Sequence, residues 1–95
     1  MDKITDISFL ELFKILCTFN NGEQRILDLT LILNDKYSKK ICNEGIFKQA
    51  KVGSLGEIYW EGIAEIKDLN GNVIPCEYDI SPEFAHMNSI PIENP

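Results

Sequence analysis

An α+β domain, a small antiparallel sheet built from hairpins with one or two short covering helices, is what this sequence predicts. Turn chemistry at Asn20-Asn21-Gly22 and at Asn70-Gly71-Asn72 separates stretches that alternate apolar and polar residues, and that pattern reads as hairpins. Two short helical stretches begin at good N-cap residues, Asn43 and Ser81, and helices so short need a sheet to pack on. At 95 residues the chain makes one domain, since two separate cores would each fall below a comfortable folding size. Its 44% hydrophobic and 25% charged residues are ordinary for a globular protein.

The elements follow in order. Lys3–Ile7 alternates imperfectly around Ile4 and Ile7 and reads as a strand. From Phe9 to Phe19 the residues Phe9, Phe13, Ile15, Cys17 and Phe19 share one parity, with Glu11 as its single polar member. Leu10, Leu12, Lys14, Leu16 and Thr18 share the other, so one strand, apolar on both faces and therefore central, is expected through Phe19. The Asn-Asn-Gly turn tolerates the positive φ of a tight hairpin, and Glu23–Leu29 returns beyond it with Glu23 and Arg25 on the exposed side.

Thr30 is suited to cap a helical turn over Leu31, Ile32 and Leu33, and Asn34–Lys40 reads as a polar loop. Asn43 caps a second helix, Glu44–Ala50, that presents Ile46, Phe47 and Ala50 on one side. Gly56–Gly62 reads as a strand in which Ile58 and Trp60 point one way and Glu57, Tyr59 and Glu61 the other. A buried Trp removes roughly 150–250 Å² from water, worth several kcal/mol at about 25 cal/mol per Å², so Trp60 is expected in the core. A hairpin pairs Glu65–Leu69 with Val73–Ile80, and Pro75, which cannot donate a ladder bond, marks an edge or a bulge. Ser81, Pro82 and Glu83 supply an N-cap, an N1 proline and an acidic first turn for a last helix carrying Phe84 and Ala85. Residues 1–88 are expected to form the domain, and 89–95 a frayed tail.

Charge is uneven. Residues 1–50 carry seven acids and seven bases, whereas residues 51–95 carry eight acids against Lys51 and Lys67, which accounts for the net charge of −6. An acidic second half repels phosphate backbones and anionic lipid and suits a basic partner; it also serves as a solvated, solubilising face. Cys17, Cys42 and Cys76 are odd in number and widely spaced, which fits reduced apolar residues rather than a disulfide framework or a zinc site. The opening Met1–Phe9 has no cationic leader before an apolar run, and no apolar stretch approaches the roughly 18–20 residues of a membrane span. A cytoplasmic protein without membrane contact is expected.

Each route to chemistry lacks a motif. His86 is the sole histidine and lies in sequence far from Cys17 and Cys42, so no nucleophile and base are adjacent. Asp68-Leu69-Asn70-Gly71-Asn72 has the look of a calcium loop but not its spacing or its bidentate glutamate, and a hairpin turn is expected there. Glu57 and Glu61 flank Tyr59 at two-residue spacing, about 7 Å along a strand, where an exposed acidic stripe is expected rather than a catalytic pair. No glycine-rich phosphate loop is present, and Lys36, Lys39 and Lys40 with Tyr37 make only a small basic patch. Neither cofactor nor metal is expected, and the chain does not read as an enzyme.

The stretches Lys3–Ile7, Thr18–Leu33, Asn43–Val52, Gly56–Gly62 and Tyr78–Ala85 span most of the chain, and their order resembles the family called domain of unknown function 2442, small bacterial proteins. The resemblance implies an α+β domain and no established activity. Family members stand alone or are joined to a helix-turn-helix, and many are encoded beside another small uncharacterised protein, as in toxin–antitoxin pairs. This chain shows no helix-turn-helix, which counts against direct DNA binding, and it carries a longer hairpin, Ala64–Tyr78, than the shorter members.

The reading that follows is a non-catalytic protein-interaction module, antitoxin-like, that binds a small basic protein through Glu57, Tyr59 and Glu61. Aromatic residues are enriched at interfaces, and a sheet edge such as that at Pro75 can be extended by another strand or pair two copies of the chain as a homodimer. A nucleic-acid-linked regulator using the Lys36–Lys40 loop is the alternative, as is a small-molecule-binding domain; an enzyme ranks behind them.

Overall fold

The computed structural model describes residues 2–33, 35–36 and 38–92. Strands β1 (Ile4–Phe9), β2 (Lys14–Phe19) and β3 (Gln24–Asp28) form a meander that β7 (Ile90–Pro91) extends, in the order β1-β2-β3-β7. A second sheet has the order β4-β5-β6, from Lys51–Val52, Ile58–Lys67 and Val73–Ile80. Four short helices, α1 (Leu29–Ile32), α2 (Ser38–Ile41), α3 (Glu44–Phe47) and α4 (Pro82–Met87), complete the described residues. All strand pairs are antiparallel, and the architecture is the expected α+β, with two small sheets in place of one.

Alternation buries Ile15, Cys17 and Phe19 of β2, as expected of a central strand. The stretch from Phe9 to Phe19 is nevertheless not one strand. It breaks at Leu10–Phe13 into a tight connection, where Leu10 N–H donates to Lys14 O (3.0 Å) and Lys14 N–H to Glu11 O (2.7 Å). Phe9 and Phe13 thereby both reach the ring of Phe47, edge-on, at 5.1 and 5.4 Å, and that aromatic cluster is the physical reason for the fold-back.

Asp28, not Thr30, caps α1: its Oδ1 accepts from Thr30 N–H (3.0 Å) and from the Thr30 hydroxyl (2.6 Å), so the helix starts two residues early and buries Leu29. The expected polar loop at Asn34–Lys40 includes the start of α2, which exists because Ile41 is drawn fully into the core; Asn34 and Tyr37 lie outside the described residues. Asn43 caps α3 through Gly45 N–H (3.1 Å) and Ser81 caps α4 through Phe84 N–H (3.1 Å), both as the sequence predicts.

The tail was expected to fray from residue 89. Instead Arg25, on β3, donates through Nε to Ser89 Oγ (2.8 Å) and through Nη2 to Ser89 O (2.6 Å). Ile92 N–H then donates to Gln24 O (3.1 Å), seating β7 beside β3. The open backbone edge of β3 is the reason this segment is ordered; residues 93–95 lie outside the described residues.

Both sheets share a single buried cluster, with Trp60 1% exposed at its heart. Its indole N–H donates to Phe47 O (3.3 Å), which satisfies the one polar atom of the ring. The two sheets meet where Ile4 N–H donates to Gly56 O (3.1 Å). Gly56 has φ +80°, and a β-carbon there would lie 2.7 Å from Lys3 Cα, so only glycine fits the junction.

Candidate functional site

The outer face of the second sheet is set by cross-strand pairing. Tyr59 stands between Lys51 on β4 and Asp79 on β6, and directly opposed residues share a face. Glu57 and Glu61 flank Tyr59 on β5 and its approach, and β6 adds Glu77 by the same alternation as Asp79. Beyond a bulge in β5, Glu65 opposes Pro75 and Lys67 opposes Val73, again on the β6 parity of Asp79. Five carboxylates (Glu57, Glu61, Glu65, Glu77, Asp79) and two lysines therefore share this face with Tyr59.

The bulge re-aims the strand. Between the pairs Trp60–Tyr78 and Ala64–Cys76, β5 places three residues against a single one on β6, and Gly62 takes φ +72°. Alternation is suspended inside the bulge, so that Trp60 and Ile63 are both buried although they are three apart, and because the excess is two residues the parity of β5 resumes unchanged beyond it. Glu61 and Gly62 are pushed outward and line, with Glu57, Tyr59, Pro75 and Glu77, an open hollow of ≈ 660 Å³.

The three residues singled out from the sequence thus come together on one surface. Their surroundings differ. The Glu57 carboxylate folds back over Gly53 and accepts from Leu55 N–H (3.1 Å), so it braces the turn that leads into β5. Glu61 meets Lys51 Nζ at 3.4 Å with both side chains largely exposed, a contact worth little in water. Tyr59 is half-buried. Sequence reasoning missed Glu77, Asp79 and Lys51 as neighbours, because strand register is a non-local property; the parity of Glu77 and Asp79 about Pro75 was the available signal.

Elsewhere the chemistry-bearing side chains serve packing. Cys17 is buried, and burial pushes its thiol up to about 12, which makes it a poor nucleophile. His86 Nε2 lies 2.8 Å from Glu23 Oε1, and its ring meets Phe19 edge-on at 5.1 Å. Glu23 also holds Arg25 at 3.0 Å, so His86, Glu23, Arg25 and Ser89 form one tether between α4, β3 and the start of β7. Asp68 Oδ1 accepts from Asn70 and Asn72 N–H, both at 2.9 Å, which is the expected hairpin turn. Among the described residues no group of three or more His, Cys, Asp or Glu could hold a metal ion. Lys39 and Lys40 are exposed in the last turn of α2. Among the described residues no helix is long and apolar enough to cross a membrane.

No family model matches the chain, and neither does any curated protein or solved structure.

Proposed function

We propose that this chain is a non-catalytic, cytoplasmic interaction module that binds a small basic protein, in the manner of the neutralising half of a two-gene pair. The observation that supports it is the outer face of the second sheet, where five carboxylates share the surface with a half-buried tyrosine and two lysines offset them. A face of that sign steers a cationic protein and selects against nucleic acid and anionic lipid. Tyr59 supplies the rigid aromatic contact at its centre, and Glu61 is a charge already exposed beside it. The resemblance to the domain of unknown function 2442 family, with its gene-neighbour arrangement, is consistent with the same reading.

The test is capture of partners by the tagged protein at native expression level, run beside Glu61→Lys and Tyr59→Ala. Glu57 is left intact because its carboxylate braces a turn. The expected result is one stoichiometric small basic protein, retained by the parent and lost, by about tenfold in affinity, from both variants at unchanged melting temperature. Equal capture by all three overturns this placement of the contact, and no basic partner at all overturns the function.

A further inference from the structure

The second sheet has a second, uncovered aspect. On β6 the even positions face the core side, and their burial fades along the strand from Ile80 (4% exposed) through Tyr78 and Cys76 to Ile74 (42%). Ile66, opposite Ile74, is 56% exposed on that same side. The hairpin of β5 and β6 therefore carries the apolar face of the core out past the body, with acids on the other side. Among the described residues, strand β6 is also the free edge of its sheet.

Ladder alternation fixes which backbone groups that edge offers. Asp68 N–H donates to Asn72 O (3.0 Å) at the turn, so in the antiparallel pattern the next bonded positions on β6 are Ile74 and Cys76. The backbone groups of Val73, Pro75, Glu77 and Asp79 then point away from β5, and Pro75 falls where its missing N–H removes no bond within the sheet. A strand laid on this edge would set its alternate residues beside Glu77 and Asp79 on one face, and beside Ile74, Cys76 and Tyr78 on the other.

We infer that β6 receives a fourth strand, an extended segment of the basic partner in which Lys or Arg alternates with aliphatic residues. The inference rests on the reading of the chain as a binder of a basic protein and names how that partner is held. Charge selects the occupant. A second copy of the chain would bring its own Glu77 and Asp79 to the same acidic edge, whereas an alternating basic strand neutralises that edge and covers the apolar stripe in one register.

The probe is a synthetic peptide, acetyl-Arg-Val-Arg-Ile-Arg-Val-Arg-Ile-amide, titrated into the ¹⁵N-labelled full chain. A control peptide of the same sequence is N-methylated at each arginine, the positions whose backbone would bond to β6. Shifts and exchange protection centred on the amides of Glu77 and Asp79 are expected, with at least a tenfold loss of affinity for the N-methylated peptide and for the Glu77→Lys/Asp79→Lys variant. Equal binding of both peptides overturns strand addition while leaving the basic-partner reading intact. No binding of either peptide overturns strand addition too, and the partner capture then judges the broader reading separately. A homodimer whose interface protects the β6 amides overturns the choice of occupant.

Discussion

Trp60 shows how much one side chain carries in a domain of this size. It is enclosed, hydrogen-bonded to Phe47 O and tilted against Tyr78 with ring centroids 6.4 Å apart. Trp60→Ala is expected to cost roughly 3–5 kcal/mol, comparable to the whole net stability of a small domain, and chemical denaturation would show it. Tryptophan emission of the parent should be blue-shifted, and a water-like maximum would contradict the burial. Cys17 should resist a thiol reagent in the folded protein and label only on unfolding, since burial both hides it and keeps it protonated; mass spectrometry of the modified peptides checks this. Glu23 gives a pH dependence. Its hydrogen bond with His86, then that with Arg25, holds its carboxyl below the usual range. With a depressed folded value, the unfolded chain takes up the proton first as pH falls. The stability from this group is therefore present above about pH 4.3 and is lost below it. Glu23→Gln should flatten the acid limb of melting temperature against pH; an unchanged limb would remove Glu23 from the account.

At the scale of elements, the junction at Gly56 and the bulge at Gly62 make different demands. Gly56 needs both a positive φ and the absence of a β-carbon, whereas nothing lies within 4 Å of a β-carbon at Gly62. Gly56→Ala should therefore destabilise by at least about 2 kcal/mol, and Gly62→Ala by only the conformational cost of about 1 kcal/mol; comparable losses in denaturant would undo the distinction. Elements whose signals are local were legible in the sequence. The Asn20–Gly22 hairpin, the Asn43 and Ser81 caps and the Asn70–Asn72 turn each carry their own chemistry within a few residues. The fold-back at Leu10–Phe13 was not legible, because the apolar alternation runs straight through it without Gly, Pro or Asn to mark it. Strands β4 and β7, two residues each, are defined by the neighbours they pair with. The candidate site was half legible: parity gathered Glu57, Tyr59 and Glu61, while Lys51, Glu77 and Asp79 arrive only through register. Gly62 was the overlooked hint, since glycine inside a strand often marks a bulge.

The whole molecule is drawn out by its hairpin. Its longest axis is 56 Å and its radius of gyration 14.1 Å, against about 12 Å for a compact chain of this length. The body, tied at Gly56 and at the Arg25–Ser89 tether, holds the core, and the arm of β5 and β6 projects a surface acidic on one side and apolar on the other. Binding through that arm should weaken steeply as salt rises, because exposed charges are screened, while the melting temperature of the body should hardly move; a salt-insensitive affinity would place the contact elsewhere. The edge has a further consequence for the solubility of the free protein. A strand with an open outer edge and with Val73, Ile74 and Cys76 on it is a template on which unfolding or crowded copies stack into fibrils. Pro75, Glu77 and Asp79 stand at the positions that interrupt such stacking, one by withholding a donor and two by repulsion. The residues proposed to admit a cationic strand are thus also gatekeepers against amyloid, and the triple change Pro75→Val/Glu77→Gln/Asp79→Asn should make the protein bind thioflavin T where the parent does not.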